Sequence, residues 1–141
     1  MAEEWHKGDY TISTDPARLD LASIHRYLSQ ESYWAAGRTM EVVRRSIENS
    51  LPFGILRATE QIGFARVVTD YATFTWLADV YVLPPHRGQG LAKWMMSVIV
   101  SHPRLQGLRR WMLGTRDAHG LYAQFGFIPL PDPAIFMGRF E

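Results

Sequence analysis

Apolar positions along the chain follow two periods, and the switches between them mark out helices and strands. Leu21, Ile24 and Leu28 share one face at helical spacing. Val43 and Ile47 repeat that spacing in a second helix, with Thr39 as its N-cap, Arg44, Arg45 and Glu48 outward, and Asn49, Ser50 and Pro52 at its end. Tyr10–Thr14 alternates apolar and polar residues as a half-buried strand does, and Asp15-Pro16 then opens a turn that can start a helix. Phe53–Arg57 and Ile62–Thr69 are β-rich runs joined by the polar turn Thr59-Glu60-Gln61, which predicts an antiparallel hairpin. After a further turn at Asp70-Tyr71-Ala72 comes the longest such run, Thr73–Val82, which Pro84-Pro85 stops by removing two amide donors.

Leu91–Ser101 is apolar on nearly every side, with Lys93 its one charge, as suits a helix lying on a sheet in the interior. Arg110–Gly114 predicts another strand, Ala118–Phe125 a short helix, and Ile135–Phe140 a last strand after the proline-broken segment 129–133. Strand, helix and strand in succession imply a right-handed parallel crossover from 73–82 to 110–114. The order is β-α-α-β-β-β-α-β-α-β, an α/β protein of mixed (α+β) type. It is read as one domain over residues 1–141, without repeats or low-complexity tracts.

Composition narrows the chemistry. Hydrophobic residues make up 47% and charged residues 21%, the balance of a chain that buries a core. With no cysteine there is no disulfide, thiolate metal site or cysteine nucleophile. No two histidines have metal-ligand spacing, and no metal is expected. A net charge of +1 argues against nucleic acid as a partner, leaving only the local pairs Arg44-Arg45 and Arg109-Arg110. Residues 1–6 are acidic and polar rather than signal-like, and no apolar run approaches the roughly twenty residues of a membrane span. The expectation is a cytoplasmic protein with no membrane partner.

The densest functional signal is Arg87-Gly88-Gln89-Gly90-Leu91-Ala92-Lys93, a basic glycine turn between the 73–82 strand and the helix that follows. Glycines let a backbone approach an anion, and the first amides of a helix lack internal partners. A pyrophosphate is the natural guest. The dinucleotide spacing G-x-G-x-x-G fails because Lys93 stands at its third glycine, and no Gly-Lys-Ser/Thr triplet makes a P-loop. Arg87, Gly90 and Ala92 instead match Q/R-x-x-G-x-G/A, and Tyr122-Ala123-Gln124-Phe125-Gly126-Phe127 looks like Y-x-x-x-G-F. On these two motifs, and on the element order, the chain resembles the GNAT superfamily of N-acetyltransferases.

The resemblance implies a GNAT-like fold, a splayed mixed sheet flanked by helices, opening between the 73–82 and 110–114 strands. It implies acetyl-CoA (coenzyme A) as cofactor, its pantetheine arm on Val80, Tyr81 and Val82 and its pyrophosphate on the turn from Arg87 to Lys93. It implies acetyl transfer to a primary amine, a small molecule foremost, by direct attack in a ternary complex, and it leaves room for a homodimer. Tyr122 matches the family tyrosine that protonates the departing thiolate, although it could equally be a core residue beside Leu121 and Phe125. With an ordinary phenol pKa, that transfer would be uphill by roughly 2 kcal/mol. Asp79 interrupts the apolar run Trp76–Val82. It reads as a general base for the amine, direct or through water, as an electrostatic trap for a cationic acceptor, or as a carboxylate on a solvated face. His119 is either an alternative proton carrier or a helix cap. The acceptor region offers Tyr27, Tyr33, Trp34 and Arg38, with Tyr71 and Trp76 from the hairpin side, and the same aromatics could simply pack. Two other readings stay open: a silent acyl-CoA-binding module, and a transferase acting on a protein amine or an aminoacyl-tRNA.

Overall fold

Among residues 2–141, which the computed structural model describes, six strands form one sheet in chain order. They are β1 (Glu4–Lys7), β2 (Tyr10–Ser13), β3 (Leu51–Arg57), β4 (Glu60–Thr69), β5 (Phe74–Val82) and β6 (Arg110–Met112). Every neighbouring pair is antiparallel except β5 and β6, which are parallel. The helices are α1 (Leu21–Gln30), α2 (Met40–Glu48), α3 (Leu91–Val100) and α4 (His119–Ala123). This is the mixed α/β architecture that the apolar periods predict, with α3 as the crossover into the parallel strand.

Alternate strand residues feed two cores. Ile12, Phe53, Ile55, Ile62, Val67 and Leu77 pack with Met95, Met96 and Ile99 of α3, and Tyr122 of α4 joins them. Phe64 and Tyr81 pack with Ile24 and Leu28 of α1 and Val43 and Ile47 of α2. The sheet is thus covered by helices from both sides, which is why β4 is buried at five consecutive positions, Gln61–Ala65, rather than at alternate ones. Caps fix the helix starts: the Asp20 carboxylate accepts from Ser23 N at 3.0 Å and the Thr39 hydroxyl from Val42 N at 3.3 Å.

Two irregularities matter for function. The β5–β6 pairing runs only through Phe74–Arg110, Thr75–Trp111 and Trp76–Met112, so β5 from Leu77 onward has a bare edge where the strands part. In the β4–β5 ladder the register skips Asp79 and Val80, and Asp79 sits at φ +56°, in the left-handed region that L residues seldom occupy. A bulge therefore re-aims the backbone at the mouth of the split.

Three expectations change. Residues 4–7 form a strand that their polarity conceals. Ile135–Phe140 does not form one: a 3-10 turn spans Pro133–Ile135, no ladder follows, and Met137 and Phe140 are 98% and 94% exposed. The alternating run has no neighbour to pair with, and isolated alternation is not a strand. Asp15 begins a 3-10 turn, Pro16–Arg18, rather than the first α-helix.

Candidate active site

The splay of β5 from β6 opens a cleft of about 530 Å³. Asp79 and Val80 line it from β5, residues 113–118 from the segment after β6, Tyr33, Trp34 and Arg38 from the α1–α2 connection, and Tyr122 from α4. Tyr33, Trp34, Arg38, Trp76, Asp79 and Tyr122 are thus brought to one enclosure. Two other aromatic candidates are not. Tyr27 is buried in the α1–α2 core, stacked on Tyr81 with ring centroids 4.0 Å apart, and Tyr71 lies under the Arg104 guanidinium at 3.9 Å, away from the cleft. Neither lines the cleft.

Asp79 is the hub of the cleft wall. Its side chain is 2% exposed, so the solvated-face reading falls. Three donors converge on its two oxygens: Trp34 Nε1 at 2.8 Å, Arg38 Nη1 at 2.9 Å and Arg66 Nε at 2.6 Å. Arg66 also donates to the Ser50 hydroxyl at 3.2 Å. An aspartate gripped by two guanidiniums cannot trap a cation, because the positive charge around it exceeds its own. Of the readings open for Asp79, the electrostatic trap for a cationic acceptor therefore loses its basis.

The wall is tied across the split. The Arg116 backbone N–H donates to Tyr33 Oη at 2.7 Å, and the Arg116 guanidinium lies 4.2 Å from the centroid of the same ring. Trp34 meets Tyr33 edge to face at 5.1 Å. Arg66 and Arg116 escaped the sequence reading. Arg66 carried a signal, a lone charge in the otherwise apolar run Ile62–Val68, whereas Arg116 stands in a polar loop that gave none.

Tyr122 is 8% exposed, and its hydroxyl makes no hydrogen bond among the described residues. Burial, with smaller contributions from Tyr33 and Asp117, pushes its phenol up to about 12. Tyr81, also buried, is raised as well, and its side chain points to the α1–α2 core, so only its backbone faces the bare edge of β5. His119 is exposed at the first position of α4 and lines a second cavity behind Tyr122 rather than the cleft.

The glycine turn sits at the far end of the same edge. Gly88 and Gly90 have φ of +81° and +77°, and a Cβ on either would meet open space. Gly90 is the N-cap of α3 and offers no side-chain acceptor, which leaves the first amides of the helix free for an outside anion. Val82, Arg87, Leu91, Ala92 and Lys93 complete this shallow pocket. Gln89 lies outside it, its amide donating to Tyr10 Oη at 3.4 Å and the His86 carbonyl at 3.2 Å. A left-handed glycine pair, free helix amides and an unpaired strand edge leading inward fit a long, diphosphate-headed guest with an extended amide arm.

The sequence model of the acetyltransferase (GNAT) family matches residues 21–127. A curated protein of Gibberella zeae, named as a candidate acetyltransferase, is 35% identical over 116 residues, which cover 69% of this chain and 66% of that protein. The chain spans 66% or less of the length of the curated relatives it matches. The crystal structure of a candidate GNAT acetyltransferase from Xanthomonas campestris pv. campestris is 49% identical, with a TM-score of 0.91, covering 94% of this chain and 93% of that one. A GNAT acetyltransferase from Elizabethkingia anophelis, solved with acetyl-CoA bound, shares the fold at 15% identity, with a TM-score of 0.62 over 84% of this chain and 76% of its own.

Proposed function

Because the chain belongs to the GNAT acetyltransferase family, we propose that it transfers an acetyl group from acetyl-CoA to a primary amine by direct attack in a ternary complex. The observation that carries this reading is the unpaired edge of β5, which runs from the anion cradle at Gly88 and Gly90 to a cleft lined by Tyr122. One edge thereby spans from a site for the diphosphate to a site for the thioester.

Backbone groups of Val80, Tyr81 and Val82 would pair with the pantetheine amides. The free amides of Leu91, Ala92 and Lys93 and the α3 dipole would hold the pyrophosphate, with Gly88 and Gly90 supplying the clearance. The bulge at Asp79 and Val80 presents backbone out of the ladder, where an amide can polarise the thioester carbonyl. Holding amine and thioester together is expected to provide much of the acceleration.

In the transfer, the amine lone pair forms the new N–C bond, the C–S bond breaks, and the electron pair leaves on sulfur. Burial holds the Tyr122 proton more tightly than that of an ordinary tyrosine, so full transfer to the departing thiolate is not favoured. Tyr122 therefore acts as a hydrogen-bond donor to the departing sulfur, and the proton that ends on the thiol is the one released by the amine through solvent. Asp79 enters as a positioning residue that fixes Arg38 and Trp34 in the wall.

The test is calorimetric titration with acetyl-CoA, followed by thiol release with a panel of amines. Binding together with amine-dependent release supports the reading. Binding without release for any amine would favour a silent acyl-CoA-binding module.

A further inference from the structure

The cleft wall carries an uncompensated positive charge. Arg38, with a side chain 21% exposed, and Arg66, at 14%, share the single carboxylate of Asp79. The only other partner of Arg66 is the neutral Ser50 hydroxyl, and Arg38 uses Nη1 alone among the described residues. Arg116 adds a third, exposed guanidinium, held on the Tyr33 ring and without a salt-bridge partner among the described residues. Against these three cations the cleft sets Asp79 and the exposed Asp117, a balance of +1. Arg38 and Arg66 are largely withdrawn from water around one carboxylate, and charge so placed without a full counterion is costly, so a protein that keeps this arrangement in a cleft is built to receive the missing anion. Planar guanidiniums with unused N–H groups match the oxygens of a carboxylate or phosphate. Beside them, Tyr33, Trp34 and Trp76 stay 41%, 39% and 38% exposed, large aromatic faces turned to the cleft rather than into the core.

We propose that the acceptor amine carries an anionic group, a carboxylate or a phosphate, bound by Arg38 and Arg116 against the wall of Tyr33, Trp34 and Trp76. The inference rests on the transfer reading above and narrows it: polyamines and other polycations are excluded as acceptors by the sign of the charge.

Matched amines test it. Thiol release from acetyl-CoA is compared for phenylalanine, phenylalaninamide and phenethylamine, for phosphoethanolamine and ethanolamine, and for spermidine. The expected result is a kcat/KM at least tenfold higher for the anionic member of a set than for its neutral twin, and lowest for spermidine. The carboxylate and phosphate sets show which anion is preferred. Arg38→Gln and, should that variant fold poorly, the exposed Arg116→Gln should erase the preference mainly through KM. Neutral or cationic twins used equally well or better would overturn the proposal.

A second readout needs no turnover. With each ion's quenching scaled to that of free N-acetyltryptophanamide, iodide should quench the tryptophan fluorescence of the wild type more steeply than caesium does, and the excess should shrink in Trp34→Phe and in Arg38→Gln, Trp76 still reporting on the same cleft. If acetyl-CoA binds and no amine is acetylated, transfer is refuted, and the quenching comparison alone decides whether the cleft gathers anions. Equal quenching by the two ions would then refute that as well.

Discussion

Arg87 donates through its guanidinium to the Tyr27 hydroxyl at 2.9 Å and through Nε to the Val82 carbonyl at 2.7 Å. One side chain thus joins α1, the end of β5 and the glycine turn, while Tyr27 is itself stacked on Tyr81. Arg87 therefore sets where the turn leaves the sheet, and in the proposed binding mode the pyrophosphate falls chiefly to the amides at the start of α3. Tyr27→Phe removes one hydrogen bond to a charged group and should cost about 1.5–3 kcal/mol, a fall in Tm of roughly 4–10 °C. Calorimetry should find acetyl-CoA affinity within threefold of the wild type, since the helix amides are untouched.

Gly90→Val tests the cradle, but the φ of +77° at Gly90 means that a valine there is strained as well as obstructive. The strain alone is on the order of 1–2 kcal/mol. Gly107, at φ +72° with open space around its Cβ position and away from the turn, provides the control. Both Gly→Val variants should lose similar stability in thermal melts. Only Gly90→Val should weaken acetyl-CoA binding, by tenfold or more, and equal affinities for the two would remove the cradle from the account.

Asp79→Asn leaves Arg38 and Arg66 facing one another without their counterion. Breaking such a buried pair costs about 3–5 kcal/mol, which for a chain of this size lowers Tm by about 10 °C. As a positioning residue Asp79 should give a rate deficit that is constant from pH 6 to pH 9. A deficit that deepens towards low pH in the kcat profile would instead restore it as the proton acceptor.

Most of the fold was legible because burial writes itself into apolar spacing. The faces of α1 and α2 and the run from Phe74 to Val82 are where the periods place them. β1 was hidden because it is an edge strand: only Trp5 packs inward, against Phe53 and His102 at 6.3 and 5.9 Å, too little to make an alternation. Ile135–Phe140 misled for the opposite reason, having the alternation without a partner strand. Residue types and motif spacing pointed to the turn, Tyr122 and the aromatic wall, which the fold places along one strand edge and in the cleft beside it. The charge of the wall was not legible, because it depends on Arg66, thirteen residues before Asp79, crossing the β4–β5 ladder to reach it. A one-dimensional reading finds charges but not which of them neutralise each other.

The Tyr122 hydroxyl separates two accounts of how sulfur leaves. Tyr122→Phe should lower kcat by about 10- to 100-fold, the loss of one hydrogen bond to a charged atom, rather than by the further orders available to a true proton donor. Acetyl-CoA affinity should barely change. Because burial raises the phenol to about 12, the wild-type rate should show no alkaline limb near pH 10, where an ordinary tyrosine would ionise. Stability carries the same signature with a definite sign. The folded state holds the proton more tightly than the unfolded chain, so the contribution is complete below about pH 10 and is lost as pH rises towards 12. Denaturant unfolding at pH 8 and pH 11 should therefore show a smaller alkaline loss of stability in Tyr122→Phe than in the wild type. An equal loss in both would mean that the hydroxyl reaches water freely, and the hydrogen bond to sulfur would lose the dry surroundings that give it strength.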